Sequence, residues 1–158
     1  MGGIEASAAV AWDALRSNRD ARLIVYDPAG RVLPGDAGPA IVGASKLGLV
    51  AGLLVRSWRA DVLVCWHLGL LKLVPFLRGF RGRVCLFLHG IEAWHRHGWL
   101  TRRLLTRVDH FLSNSQFTWE RLLEYVPELA GCRHTTVPLG LGDSIAITGS
   151  APASPPVP

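Results

Sequence analysis

The sequence predicts an α/β fold, a Rossmann-like parallel sheet with helices on both faces, from three observations. Short β-branched, nearly uncharged runs alternate with longer amphipathic stretches along the chain. Two of those runs, DVLVCW (61–66) and RVCLFL (83–88), are apolar almost throughout, as strands buried on both faces are. Polar residues then cluster at the strand exits, at Trp66-His67, His89-Gly90-Ile91-Glu92 and Ser113-Asn114-Ser115. The 158 residues, 49% hydrophobic and 18% charged, suit one compact domain and exclude the disordered, collagen-like and disulfide-scaffold classes.

The elements follow in order. Ile4 to Arg16 is Ala-rich and places Ile4, Ala8, Ala11, Trp12 and Leu15 at helical spacing, directly after the Gly2-Gly3 pair. Leu23 to Tyr26 reads as a buried strand, ended by Asp27-Pro28 and a turn-rich loop containing Gly30, Pro34, Gly35, Gly38 and Pro39. A short strand at Ile41-Val42 precedes a helix from about Lys46 to Arg59, and Asp61 to Trp66 is the next strand. Leu70 to Leu77 reads as a short helix kinked or ended by Pro75, whose ring and missing N–H disfavour a helix interior. After the strand Arg83 to Leu88 come a helix at Trp99–Val108, a strand at His110–Leu112, a helix at Phe117–Tyr125 and a final strand at Thr135–Val137. From Ser150 the composition turns to SAPASPPVP, the signature of an extended linker.

Composition bounds the setting. Three cysteines, Cys65, Cys85 and Cys132, are odd in number and lack a CxxC spacing, so buried free thiols in a reducing cytosol are expected. MGGIEASAAVAWDAL carries no basic segment ahead of a long apolar one, so no secretory signal is expected and the expected location is cytoplasmic. Pro39 to Val55 could mimic a membrane span, but it is short and holds Lys46 in its middle; a helix buried against a sheet needs the same apolar content.

In an open α/β sheet, ligands bind beyond the carboxyl ends of the strands, where loops converge and helix N-termini present free N–H groups. His89 therefore carries the most weight. At the end of a buried strand it can donate to a sugar hydroxyl or a developing charge, with Glu92 able to accept hydroxyl hydrogen bonds; the alternative is a structural histidine bonded to nearby backbone. His67, after the preceding strand, is a second candidate. Gly2 and Gly3 lack side chains, so the backbone ahead of the first helix can approach a phosphate closely, or else forms a simple terminus. His95 and His97 are two residues apart on a loop, with only Glu92 as a nearby carboxylate, and no metal site is expected there.

The succession GGIEASAAVAWDAL, VCLFLHGIEAW, DHFLSNSQFTWERLLEYVP and HTTVPLGLGD resembles the N-terminal domain of family 4 glycosyltransferases of the GT-B fold, over essentially Gly2 to Asp143. The order and spacing of these segments carry the resemblance; no one of them is diagnostic. It implies an acceptor-side domain at residues 1–143, facing a second domain that holds most of a nucleotide-sugar donor. The implied activity is metal-independent, retaining hexosyl transfer to a glycan or lipid acceptor, without a cofactor. Carried over by position, Gly2 and Gly3 approach the donor phosphates, His89 touches the transferred sugar as the catalytic residue, and Glu92 binds acceptor or sugar hydroxyls. Asn114 and Ser115 line the cleft. The chain departs from that pattern at both ends: no strand precedes Gly2, and residues 144–158 form a Pro-rich linker in place of a donor-binding domain. The expectation is a clipped transferase that binds nucleotide-sugar weakly and turns over nothing by itself; the alternative is a stand-alone sugar- or nucleotide-binding module.

Charge is localised. Arg56 to Arg107 holds ten basic residues and two acids, a net +8 inside a chain of net +5, beside Trp94, Trp99, Leu100, Leu104 and Leu105. Basic residues with such neighbours fit a peripheral contact with an anionic membrane face, the alternative being a solvated helix face. Nucleic acid is not expected as a partner, since the chain carries no helix-turn-helix, RRM-like or zinc-finger spacing.

Overall fold

Six short strands in two parallel ladders organise the chain, whose computed structural model describes residues 3–18, 20–26, 41–43 and 45–138. Strands β1 (Ile24–Tyr26) and β2 (Ile41–Gly43) pair with each other, Ile24 opposite Ile41. Strands β3 (Val62–Cys65), β4 (Arg83–Leu88), β5 (His110–Ser113) and β6 (His134–Thr136) form a second sheet in that spatial order. The helices are α1 (Gly3–Asn18), α2 (Lys46–Val55), α3 (Trp99–Leu105) and α4 (Gln116–Tyr125), with a 3₁₀ segment at Leu68–Phe76. The result is a mixed α/β fold around a four-stranded parallel sheet.

The register separates the side chains of that sheet into two sets, because successive residues of a strand point to opposite faces. Leu63 and Cys65, Val84, Leu86 and Leu88, and Phe111 and Ser113 share one face. There they meet Leu68 and Leu71 of the 3₁₀ segment, Leu104 and Leu105 of α3, and Trp119 and Leu122 of α4 in one buried cluster. Neighbouring strands in sequence order, joined by right-handed crossovers, must carry their connections on one side, which is why all three pack here. The opposite face holds Val62, Val64, Cys85, Phe87 and Leu112. Phe87 is buried under Trp66, their rings 4.6 Å apart, and the Trp66 indole N–H donates to Ser7 Oγ on α1 at 3.3 Å. Val62 is 50% and Val64 37% exposed, so β3 is buried on one face only, contrary to its uniformly apolar sequence. Likewise Ile24 and Val25 are half-buried and Tyr26 is exposed, so β1 is not the buried strand expected.

Element ends moved for local reasons. Helix α2 begins at the Ser45 cap, whose Oγ accepts the Gly48 N–H at 3.1 Å, and stops at Val55 rather than Arg59, because Arg56 is already extended. Trp58 then folds back beneath it and donates its indole N–H to Leu53 O at 2.9 Å, satisfying a carbonyl that the helix end leaves open. Leu49, Leu53, Trp58 and Leu77 form a second cluster, against which both Ile24 of β1 and Leu63 of β3 pack. Pro75 sits inside the 3₁₀ segment instead of ending a helix, and α3 stops at Leu105 instead of Val108. Strand β5 runs on through Ser113, and β6 covers His134–Thr136 rather than Thr135–Val137. Gly2, the loop at 27–40 and the Pro-rich stretch at 144–158 lie outside the described residues. Cys65 and Cys85 stand on adjacent strands but on opposite faces, and both are free thiols; Cys65 is buried, Cys85 and Cys132 only partly so.

Candidate functional site

The exit of β4 is fastened on both sides of one residue. Gly90 adopts φ 137° and ψ −98°, a conformation open to glycine, and a Cβ there would sit 3.3 Å from the Trp94 ring. This turn brings Glu92 back so that its Oε1 accepts the His89 backbone N–H at 2.5 Å, and Glu92 is 8% exposed. From β5, Asn114 Nδ2 donates to His89 O at 2.6 Å, while Asn114 Oδ1 accepts from Thr118 Oγ1 at 2.8 Å. Ser115 caps α4, its Oγ accepting the Thr118 N–H at 3.2 Å. Both polar groups of the Asn114 side chain and the acceptor of Ser115 are thus engaged in holding the loops.

The His89 ring packs against Phe87, tilted by 34° with centroids 4.6 Å apart, and its Nε2 lies 2.7 Å from Trp66 O. A carbonyl only accepts, so Nε2 carries the proton and Nδ1 is left as an acceptor; Nδ1 is buried and has no partner among the described residues. Burial lowers the imidazole pKa from 6.5, with the Trp66 carbonyl and Glu92 working the other way. The ring is therefore neutral at pH 7, with its one N–H held by the Trp66 backbone, the backbone-bonded alternative read from the sequence, and with the Nδ1 lone pair buried.

His67 caps the 3₁₀ segment, its Nδ1 accepting the Gly69 N–H at 2.9 Å, which leaves Nε2 as its donor. Gly3 begins α1, and Ser7 one turn on touches Trp66, which brings the first half of α1 to the same sheet end. The buried Ser113 hydroxyl donates to Ser115 O at 2.8 Å and accepts from His134 Nε2 at 2.8 Å, a structural pair rather than a nucleophile and its base.

Beside His67 and Glu92 opens a cleft of about 320 Å³, lined also by Lys72, His95, Arg96, His97 and Thr101. The His95 and His97 rings are 4.8 Å apart, and His97 Nε2 is buried without a partner among the described residues. Burial, and then His95, lower the His97 pKa. Among the described residues no three His, Cys, Asp or Glu side chains are grouped to hold a metal ion. The segment WHRHGW, expected from the sequence to hold no metal, brings Arg96, one cation of the basic stretch 56–107, onto this lining between two histidines.

The basic segment is reshaped. Leu104 and Leu105 are core residues, and Arg102 is paired with Glu128, Nη2 to Oε1 at 2.7 Å. The exposed apolar side chains of this surface are Ile91, Trp94, Trp99, Leu100 and Phe117, with Trp94 edge-on to Phe117 at 5.5 Å. Among the described residues no helix is long and apolar enough to cross a membrane. No protein-family model, no curated protein and no solved structure matches the chain.

Proposed function

We propose that this chain is the acceptor-side, Rossmann-like domain of a retaining, nucleotide-sugar-dependent glycosyltransferase of the GT-B type. The observation that carries the reading is His89 at the carboxyl end of β4, its amide held by Glu92, its carbonyl by Asn114, and one ring nitrogen without a partner among the described residues. A binding group fixed this way loses little freedom when ligand arrives, which is what preorganised recognition of a sugar needs.

For a sugar hydroxyl to reach the buried His89 Nδ1 the turn at Gly90 has to open, while His67 Nε2 donates to a second hydroxyl and Glu92 Oε2 accepts. Asn114 and Ser115 position the loops instead of touching ligand with their side chains. Hexosyl transfer to a glycan or lipid acceptor at an anionic membrane face, through Arg96, Arg103, Trp99 and Leu100, completes the proposal, with cytoplasmic location and no metal or cofactor. A second reading, a stand-alone sugar- or nucleotide-binding module, is favoured by the neutral, acceptor-only state of His89, which suits binding better than proton donation.

Saturation-transfer NMR with a panel of nucleotide-sugars and free hexoses tests both. Saturable contact that His89→Ala weakens at least tenfold is expected, with no sugar transfer by residues 1–158. Absence of contact with every panel member would remove both readings, and efficient transfer by this chain alone would remove the expectation of an incomplete site.

A further inference from the structure

We infer that the cleft between His67 and Thr101 is a binding site for a phosphate group, held by Lys72 and Arg96 with the three histidines around them. The lining comes from two segments, residues 67–72 after β3 and residues 92–101 after β4, so donors face a ligand from two sides. Lys72 and Arg96 are exposed, and neither makes an ion pair or side-chain hydrogen bond among the described residues. By contrast, Arg16, Arg102 and Arg121 each hold a carboxylate. An ammonium and a guanidinium fork supply several N–H donors, a better match to the oxygens of a phosphate than to a neutral hydroxyl.

The histidines add to this. His67 presents Nε2–H, because Nδ1 is occupied by the Gly69 N–H. His95 Nδ1 donates to Ile91 O at 3.3 Å, and the buried His97 Nε2 has no partner among the described residues. Glu92 is the one carboxylate of the lining, and one of its oxygens is already engaged by the His89 N–H. The cleft volume of about 320 Å³ leaves room for a substituent on the phosphate as well.

With the histidines neutral the lining carries two positive charges against Glu92. Those facing His97 are His67 and Lys72 from one segment and Glu92, His95 and Arg96 from the other. A bound dianion favours protonation of His97, so anion binding takes up a proton and tightens as pH falls. The apolar side chains of Ile91, Trp94, Trp99 and Leu100 are exposed in the same stretch of chain, so the phosphate can arrive free or on a lipid headgroup.

The inference is independent of the transferase reading, because a phosphate site without any nucleotide-sugar contact leaves it standing. The test is an amide chemical-shift titration of the full chain with inorganic phosphate and with sulfate, against chloride at matched ionic strength. Sulfate does not itself titrate between pH 5.5 and 7.5, so its pH dependence reports the protein. Saturable shifts centred on residues 67–72 and 92–101, sulfate binding that tightens at pH 5.5, and at least tenfold loss in K72A/R96A are expected. R133A, an exposed cation outside the lining, is the control and keeps its affinity. Unsaturable shifts, an unaffected K72A/R96A, or equal loss in R133A would overturn the proposal. Co-sedimentation with phosphatidylcholine vesicles containing phosphatidic acid separates the sources. Capture that free phosphate competes away and K72A/R96A abolishes supports a lipid headgroup, whereas saturable free phosphate without capture supports a soluble ester.

Discussion

The two hydrophobic clusters of this protein are built differently. Around β3 to β6, three connections converge on one sheet face, and Phe111, Leu86, Leu88, Leu105 and Leu122 lose all contact with solvent. Around α2, only Leu49, Leu53, Trp58 and Leu77 are buried, with Ile24, Leu63, Leu73 and Phe80 half-covered at the rim. The ladder of β1 and β2 leans on that smaller cluster without joining the larger sheet. Stability is expected to follow: local opening costs least where few apolar contacts are buried. The candidate site sits on the better-supported side, at the carboxyl ends of β3, β4 and β5, so its geometry is anchored by the larger cluster.

The largest expected effect tests that contrast directly. Phe111→Ala, at the centre of the larger sheet, should lose about 3–5 kcal/mol in urea unfolding, and Leu53→Ala about 2–3 kcal/mol, because a thinly covered cluster can collapse around the deletion. Equal losses, with amide protection falling together in α2 and β4, would mean that the two clusters open as one unit. Next in size, Asn114→Ala leaves the His89 carbonyl without its donor and should cost about 1–3 kcal/mol. Gly90→Ala forces a side chain into positive φ at about 1–2 kcal/mol. Both should perturb the His89 and Glu92 resonances before those of α2.

A smaller, pH-dependent effect follows from His89, His97 and His134, whose pKa values burial lowers from 6.5. Below the unfolded value the unfolded chain binds more protons, so stability is full above about pH 6.5 and falls as pH drops through the lowered folded values. Urea midpoints measured at pH 7.5 and 5.5 should decrease in that direction, and His134→Gln should flatten the slope in part. The smallest effect concerns thiols. Burial, with Cys85 nearby, pushes the Cys65 thiol up to about 12, so it should resist alkylation at pH 8 in the folded chain while Cys132 reacts first.

Much of the fold was legible because its signals are local. The almost wholly apolar run 83–88 coincides with β4 residue for residue, and the helix expected from about Lys46 begins there. The misreadings at β1 and β3 have one cause: an apolar strand sequence reports that burial is affordable on both faces, not that a second layer is present there. At the site, the pattern HGIE correctly located a polar strand exit, and Gly90 with Glu92 explains why those residue types stand together. The direction of the His89 hydrogen bond was not legible, since its partner, Trp66 O, lies 23 residues away in sequence. Nor was the engagement of Asn114, whose role depends on β4 and β5 being neighbours.

What the sequence determined by itself was the alternation of strand and helix, both ends of β4 and the clustering of polar residues just beyond the strands, because periodicity and glycine conformations act over a few residues. Only the tertiary structure decided which sheet face is covered, which nitrogen of His89 is free, and that Lys72 and Arg96, 24 positions apart, line one cleft. Those outcomes depend on strand register and on the side to which each crossover returns, and both are settled by long-range pairing.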